Sequence, residues 1–400
     1  MTTVLSVAQY NYLKGGSDTY RFGLDRLLAE NGYEIVPFTA RHENNVFSEW
    51  NEYFPPPVNF DSPGIKDIAK YVYSIPAANA LKRLLDVKKI DIAHLHIYYG
   101  QLTSSILKVL KERDLPVVQT LHEYKVVCPT YDLLAGDKIC TKCQGSHFWK
   151  AIVQRCNRGS VVRSALSAVE SYVSRYNGAV QRIDHFIAVS HFQRRLLTEL
   201  GIPSEKITTV HNFIDAQKVT PNVRPGMHFL YFGRLEKSKG LWTLVKAAEM
   251  CPESKLLIVG DGTQRKQLVE HLSKKSDTNI EYLGFKTGEE LGNLIRNSIC
   301  TITPSEWYET FGLTILESFA HGRPVIASRI GGMQETIIEG TDGMFIEPGD
   351  HMALADTMRW FQKHKGEAVD MGKCGREKVL VEFTPERHMA SIRGIYSKVR

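Results

Sequence analysis

Two carboxylates, two cations and a glycine-marked helix start in the second half of the chain have the types and spacing to hold a phosphorylated, polyhydroxylated ligand. Glu309 and Glu317 lie eight positions apart in SEWYETFGLTILESFAHGRPVIAS (305–328). Arg234 and Lys239 occupy the turn GRLEKSKG (233–240), between the strand-like HFLYFG and the amphipathic LWTLVKAAEM. Arginine offers a planar bidentate donor and lysine a point charge, a combination suited to a diphosphate. With a helix starting near Phe311, the N–H groups of Thr310, Phe311, Gly312 and Leu313 face an anion. The two carboxylates then accept hydrogen bonds from ribose and sugar hydroxyls. Acids at a helix start also complement the helix dipole, so Glu309 has an ordinary explanation. Glu317 has a poorer one, because it interrupts the apolar face of Leu313, Leu316, Phe319 and Ala320, where an unpaired carboxylate is costly.

The first half offers sparser chemistry. Gly15 and Gly16 in YLKGGSD (12–18) follow the first strand-like run and precede a helix. Paired glycines let a backbone approach a phosphate, although two glycines after a strand are more often a plain turn. His122 closes the run QTLHEY, at the carboxyl end of a strand, where open α/β sheets bind ligands. His94 and His96 alternate on the preceding run, and a lone histidine is more often structural than functional.

Directly after His122, Cys128, Cys140, Cys143 and Cys156 form C-x11-C-x-x-C-x12-C. Four thiolates at such spacing suit a tetrahedral structural zinc; free thiols are the plain alternative. An iron–sulfur cluster or a redox pair has less support, since nothing else in the chain suggests electron transfer. The remaining cysteines, Cys251, Cys300 and Cys374, show no ligand spacing. An odd total of seven fits a reducing cytoplasm better than a disulfide framework.

These residues need a scaffold. Short β-branched runs alternate with amphipathic stretches throughout, which predicts a parallel α/β architecture. Strands are expected at 3–8, 33–38, 91–97, 116–122, 185–190 and 207–212, then at 228–233, 255–260, 280–285, 300–305, 324–328 and 343–348. Two comparable sets imply two doubly wound domains facing one another, joined through the proline-bearing, linker-like segment 211–226. Four hundred residues at 43% hydrophobic and 24% charged fit two soluble domains. No run reaches the roughly 18 apolar residues of a membrane span, and the N-terminus does not read as a signal peptide. The formal charge of +6 is concentrated: residues 138–182 hold eight basic residues against the single acid Glu170. With Phe148 and Trp149 nearby, this stretch suits anionic lipid headgroups, an acidic glycan or nucleic acid, or is a solvated helix face.

Taken together, the Gly15-Gly16 loop, Thr120-Leu121-His122, GRLEKSKG, Glu309 through Glu317, and HGRPVIASRIGGMQETI (321–337) resemble the retaining glycosyltransferases of the GT-B fold in the large family four. The resemblance covers nearly the whole chain and is sharper in the second half. It implies an N-terminal Rossmann-like acceptor domain, 1–210, carrying the cysteine-rich insertion 128–156 and completed by a C-terminal helix, 386–400. It implies a donor domain at 211–385, with the two domains facing an inter-domain cleft. Gly15 and Gly16 then lie near the donor phosphates, and Arg234 and Lys239 bind the diphosphate. Glu309 contacts the donor sugar beside the N–H groups of Phe311, Gly312 and Leu313, while Glu317 takes the ribose and the base rests near Phe285. His122 contacts the donor sugar and supports its oxocarbenium-like transition state. Cationic side chains and helix dipoles replace a catalytic metal, so none is expected.

The resemblance extends to bacterial polysaccharide enzymes with a similar cysteine pattern. It points to a UDP-, GDP- or dTDP-sugar donor and a glycan or lipid-linked acceptor. It also points to a cytoplasmic protein, peripheral at the inner face of an anionic membrane through 138–182, with no nucleic-acid partner. A nucleotide-sugar epimerase or phosphorylase keeps the fold but changes the chemistry. A zinc-dependent nucleic-acid module leaves Arg234, Lys239, Glu309 and Glu317 unexplained.

Overall fold

The computed structural model, which describes residues 1–60, 62–275 and 277–400, divides into two units. The first comprises Met1–Val210 and Met389–Arg400, the second His211–His388. All twelve strand-like runs become strands in two six-stranded sheets, most of them shorter than expected, with the runs at 3–8 and 300–305 shifted to Thr2–Val7 and Ser298–Thr303.

Unit 1 runs β1 (Thr2–Val7), α1 (Gly16–Glu30), β2 (Tyr33–Phe38), α2 (Ile65–Val72), α3 (Ile75–Val87), β3 (Ile92–Leu95), α4 (Ser105–Glu112) and β4 (Val117–Leu121). The cysteine insertion follows, with a small antiparallel hairpin, β5 (Leu134–Ala135) and β6 (Lys138–Ile139), and the short α5 (Lys150–Val153). The unit then continues through α6 (Val161–Tyr176), β7 (His185–Ala188), α7 (His191–Glu199) and β8 (Ile207–Thr209). Its parallel sheet has the order β2-β1-β3-β4-β7-β8. Helix starts follow local chemistry: Ser190 Oγ accepts from Gln193 N at 3.0 Å, and Gln193 Oε1 accepts from Val189 N at 2.9 Å.

Unit 2 runs β9 (His228–Phe232), α8 (Leu241–Glu249), β10 (Leu256–Val259), α9 (Arg265–Ser273), β11 (Ile280–Tyr282), α10 (Gly288–Arg296) and β12 (Ser298–Thr303). It continues with α11 (Leu313–Ala320), β13 (Val325–Ser328), β14 (Gly343–Ile346), α12 (His351–Lys363) and α13 (Lys365–Val381); α14 (Pro385–Val399) ends the chain. The parallel order is β11-β10-β9-β12-β13-β14. In the unit's own sequence order this is 3-2-1-4-5-6, the Rossmann arrangement. Both faces of the sheet are buried, as the near-continuous apolar strands require. Phe229, Ile258 and Ile302 pack on one side with Leu244, Leu354 and Phe361; Leu230, Leu257 and Val259 pack on the other with Ile295.

One expectation is corrected here. Segment 211–226 is not a free linker but is fastened along unit 2. Ile214 N donates to Phe383 O at 2.9 Å, Asn222 N to His321 O at 3.1 Å, and a Cβ on Gly226 would lie 2.0 Å from Ser298 O. Its prolines reflect an irregular path over a surface, with the backbone polar groups paired along the way.

Candidate functional site

In a doubly wound sheet, ligands bind beyond the carboxyl ends of the strands where the order reverses. In unit 2 that point lies between β9 and β12, and the loops leaving these strands carry Arg234 with Lys239 and Glu309 with Glu317. The loops are locked together. Gly240 has φ 71°, and a Cβ there would lie 1.8 Å from Pro304 O, so only glycine permits this approach. Glu306 N donates to Ser238 O at 2.8 Å, and Thr243 Oγ1 donates to Glu306 Oε1 at 2.5 Å.

This locking sets an ion pair at the site. Lys239 Nζ lies 2.6 Å from Glu309 Oε1, which also accepts from Ser305 Oγ at 2.6 Å. Lys239 stands 4.9 Å over the Trp307 ring. Burial pushes the Glu309 carboxyl up, but Lys239 and the Ser305 hydroxyl outweigh it, so the group stays below the ordinary value and remains charged. From behind, Gly332 N donates to Glu309 O at 2.8 Å. Gly331, at φ 65°, passes so close that a Cβ would be 2.4 Å from that oxygen. Sequence reasoning does not single out Ser305, and a lone serine at a strand end gives no signal of its role. The close approach of Gly260 to Gly233 O, 1.8 Å for a Cβ, is likewise missed, although Gly260-Asp261-Gly262 after a strand is a readable glycine loop.

The helix start is two residues later than expected. α11 begins at Leu313, and Gly312 serves as its N-cap at φ 101°, ψ 65°. The left-handed cap turns the chain sharply, which a helix beginning at Phe311 would not do. Phe311 itself is a core residue, 1% exposed, against His211 and Phe383. Its contribution to a ligand is therefore its backbone. Among the described residues, the N–H groups of Phe311, Gly312 and Leu313 have no acceptor. Glu317 lies four residues into the site from Leu313, about 6 Å along the helix axis. It is partly buried, its carboxyl has no hydrogen-bond or ion-pair partner among the described residues, and burial raises it to about 7. Beneath α11, Gly372 and Gly375 of α13 pack so tightly that Cβ atoms would fall 2.1 Å from Gly322 O and 2.4 Å from the Phe319 ring. The helix carrying Glu317 is thereby fixed from behind.

Other predicted residues are less constrained. The Arg234 side chain is 63% exposed and pairs with Glu236 at 3.3 Å. Phe285 is 64% exposed, beside Gly284 at φ 73°. Both stand in loops at the strand ends, free to meet a ligand.

In unit 1 the sheet ends carry a different group. Thr120 Oγ1 and Tyr396 OH each lie 2.7 Å from a ring nitrogen of His94. His94 stacks on His96 at 4.7 Å, and His96 Nδ1 lies 3.2 Å from His122 Nε2. Tyr20 of α1 meets His122 edge-on at 5.0 Å. Burial holds His96 well below the usual histidine value and lowers His122 to about 3, so both rings are neutral at pH 7. One nitrogen of the His96–His122 contact then donates and the other accepts. His94 and His96, minor candidates in the sequence, thus form the support that orients His122.

The Gly15-Gly16 loop behaves differently from the expectation. Lys14 N and Gly15 N both donate to Asp18 Oδ2, at 3.2 and 3.1 Å, a reciprocal cap at the start of α1. Those two amides are occupied, while the Gly16 N–H has no acceptor among the described residues. In the basic stretch, Phe148 is buried rather than superficial, and Trp149 is exposed. Glu170 is 1% exposed and spends its charge on Lys125 at 2.5 Å, leaving the surface cations without it.

Comparison with known proteins finds two family models along the chain. The family described as Glycosyltransferase Family 4 matches residues 14–218, just over half of the chain. Glycosyl transferases group 1 matches residues 216–378. Glycogen synthase of Mycobacterium tuberculosis is 31% identical over 54% of this chain, which spans about half, 53%, of that relative. N-acetyl-alpha-D-glucosaminyl L-malate synthase of Bacillus anthracis is 26% identical over 96% of this chain and 94% of its own length. The structure of Anabaena Alr3699/HepE in complex with UDP-glucose superposes with a TM-score of 0.68 at 18% identity, covering 100% of both chains. The chain therefore belongs to glycosyltransferase family 4, group 1, with the GT-B fold of two Rossmann-like domains.

Proposed function

We propose that the chain is a retaining glycosyltransferase that moves a sugar from a nucleotide-diphosphate sugar to a saccharide or lipid-linked saccharide acceptor in cell-surface polysaccharide synthesis. The observation that carries the donor half is the unpartnered Glu317 carboxyl set one turn behind three unused amides and the Lys239–Glu309 pair. A carboxylate suits two vicinal ribose hydroxyls, amides and cations suit a diphosphate, and a second, charged carboxylate suits sugar hydroxyls. Crystallised Anabaena Alr3699/HepE with UDP-glucose supports a nucleotide-sugar donor for this fold.

In this reading Arg234 and Lys239 stabilise the charge that develops on the diphosphate as the C1–O bond breaks. The acceptor hydroxyl forms its bond to C1 on the same face, and its proton passes to the departing phosphate oxygen. Glu309 orients the sugar, and Phe285 borders the base. Gly16 offers an amide to the phosphates, and neutral His122 donates to the donor sugar. Charge is stabilised by side chains and helix amides, and the proposal assigns no step to a metal.

The acceptor half rests on the basic stretch. Exposed Lys138, Lys142, Arg155, Arg158 and Arg163 are interleaved with exposed Trp149, Val153, Val161 and Val162, a mixture that suits an anionic bilayer surface. No helix among the described residues is long and apolar enough to cross a membrane. Sedimentation with vesicles containing anionic or only zwitterionic lipid tests this placement; equal binding to both, or to neither, contradicts it. For the reaction, release of UDP, GDP or dTDP from a sugar panel is measured with retention of anomeric configuration in the product. Isomerised sugar without nucleotide release contradicts transfer and supports the epimerase alternative.

A further inference from the structure

The cysteine insertion contributes nothing to the donor site, yet it has a definite shape with little to hold it. Between Cys128 and Arg158 the buried apolar side chains are Cys128, Leu133, Phe148 and Ala151. Regular structure is limited to two-residue strands, a short 3-10 turn and the four-residue α5. Five of the seven non-glycine residues with positive φ in the described chain lie here: Tyr131, Leu133, Ser146, Arg155 and Arg158. Such conformations cost energy and persist only when surroundings over-determine them. A core this small does not supply that restraint, and small irregular modules commonly gain it from disulfides or a metal.

Local backbone hydrogen bonds fold the insertion back on itself around its four cysteines. Cys128 N donates to Tyr124 O at 2.8 Å, and Tyr131 N returns to Cys128 O at 3.0 Å, folding the chain back. The β5–β6 hairpin then delivers Cys140, whose N donates to Leu133 O at 2.7 Å. Cys143 follows after two residues, and His147 N donates to its carbonyl at 3.2 Å. Cys156 lies in the turn three residues past the end of α5, its N donating to Ala151 O at 3.1 Å. All four are free thiols. The thiols are neighbours of one another: Cys128, Cys140 and Cys156 lie close enough to Cys143 to act on it electrostatically, as Cys128 and Cys140 do on Cys156. The grouping is looser than a closed metal site, because ligand groups gathered within 4.8 Å among the described residues do not include these thiols. Neutral thiols have no attraction that would draw them closer, whereas a bound dication would.

We propose that Cys128, Cys140, Cys143 and Cys156 bind one structural zinc ion as a tetrathiolate, with no role in the transfer chemistry. Binding releases the thiol protons and contracts the sulfur separations to about 3.8 Å, set by Zn–S bonds of about 2.3 Å in a tetrahedron. Four sulfur ligands leave no open position for water, so the ion is structural. The surrounding lysines and arginines offset the two negative charges of the resulting centre.

Metal analysis and native mass spectrometry of the full chain, purified without chelator, test the proposal. The expected result is close to one zinc per chain, falling below about 0.2 in Cys140→Ser/Cys143→Ser. Cobalt added to the zinc-depleted chain should give the intense visible and near-ultraviolet bands of a tetrahedral tetrathiolate. Zinc removal should also open protease cleavage between residues 128 and 158 while unit 2 stays intact. Should the double variant fail to fold, the wild-type zinc content and cobalt spectrum decide alone. Fewer than about 0.2 zinc per wild-type chain, iron with acid-labile sulfide, or a mass showing disulfides among these four cysteines would overturn it.

Discussion

The two sheets place different electrostatics at the ends of their strands: charged groups in one and neutral rings in the other. Unit 2 ends its strands in a charged pair, Lys239 with Glu309, beside unused amides and a carboxyl waiting for a partner. Unit 1 ends its strands in a stack of histidines, of which His96 and His122 are held neutral by burial. The topology is closely related, so the difference comes from a few residues in the loops. An anionic leaving group needs fixed positive charge and amide dipoles. A sugar centre that gains positive charge is better served by neutral donors than by a second cation, which would repel it. In the proposed reaction the same architecture divides the work by loop composition.

Lys239→Ala should break unit 2's side of this contrast most completely. Loss of one fixed charge on the leaving group should lower transfer by about 10³-fold, a cost of about 4 kcal/mol. Circular dichroism should show the fold retained, and turnover within tenfold of wild type would count against the assignment. Glu309→Gln should fall in the same range, since it removes the sugar contact and leaves Lys239 without its partner.

His122→Ala breaks the other side, and its value lies in what it spares. Transfer should drop by about 10²-fold, the range of a single positioned donor, while calorimetric affinity for the nucleoside diphosphate stays unchanged. Equal losses in both quantities would show that the two units do not divide the work.

Glu317→Gln should weaken nucleoside diphosphate binding by about tenfold, as expected for a lost charged acceptor. Its pH behaviour sharpens the point. The carboxyl is raised to about 7 in the ligand-free protein, so wild-type affinity should decline as pH falls below 7, when the acceptor becomes protonated. The difference between wild type and Glu317→Gln isolates this group from the titration of the phosphate itself. A raised carboxyl also costs stability as pH climbs from its unfolded value to about 7, above which the loss is complete. Ligand-free Glu317→Gln should therefore melt above wild type at pH 8 and converge with it near pH 4.5.

The smallest expected effect concerns unit 1. His96 and His122 are depressed, so the folded unit binds fewer protons than the unfolded chain below about pH 6.5. Stability should decline progressively from pH 7 to pH 5, and His122→Asn should flatten part of that slope. An unchanged slope would place the acid sensitivity elsewhere.

Legibility in the sequence followed the range of the interactions. Strand positions were readable because β-branched runs between helical periods are local signals, and Glu309 and Glu317 stood out as candidates because their eight-residue spacing is local too, whereas Lys239 meets Glu309 across 70 positions. The loop-to-loop locks were not readable. Gly240 against Pro304, Gly331 against Glu309 and Gly372 against Gly322 join residues 40 or more positions apart in the first and third cases, and 22 in the second. Nothing in one segment announces its partner. The role of Ser305 depends on where Glu309 points, and the two-residue error at the start of α11 came from the left-handed Gly312. Gly15 was expected near a phosphate because glycines advertise access, whereas Asp18 three residues on captures its amide.

The central claim is that unit 2 holds a nucleotide-diphosphate sugar through Lys239, Arg234 and Glu317. Thermal unfolding with UDP-, GDP- and dTDP-sugars, in wild type and in Arg234→Ala/Lys239→Ala, tests it most directly. At a ligand concentration of about 100 Kd, binding should stabilise the wild type by about 2.7 kcal/mol, a shift of several degrees with at least one base, and leave the double variant unmoved. Equal shifts in both proteins, or no shift with any of the three, would contradict the account.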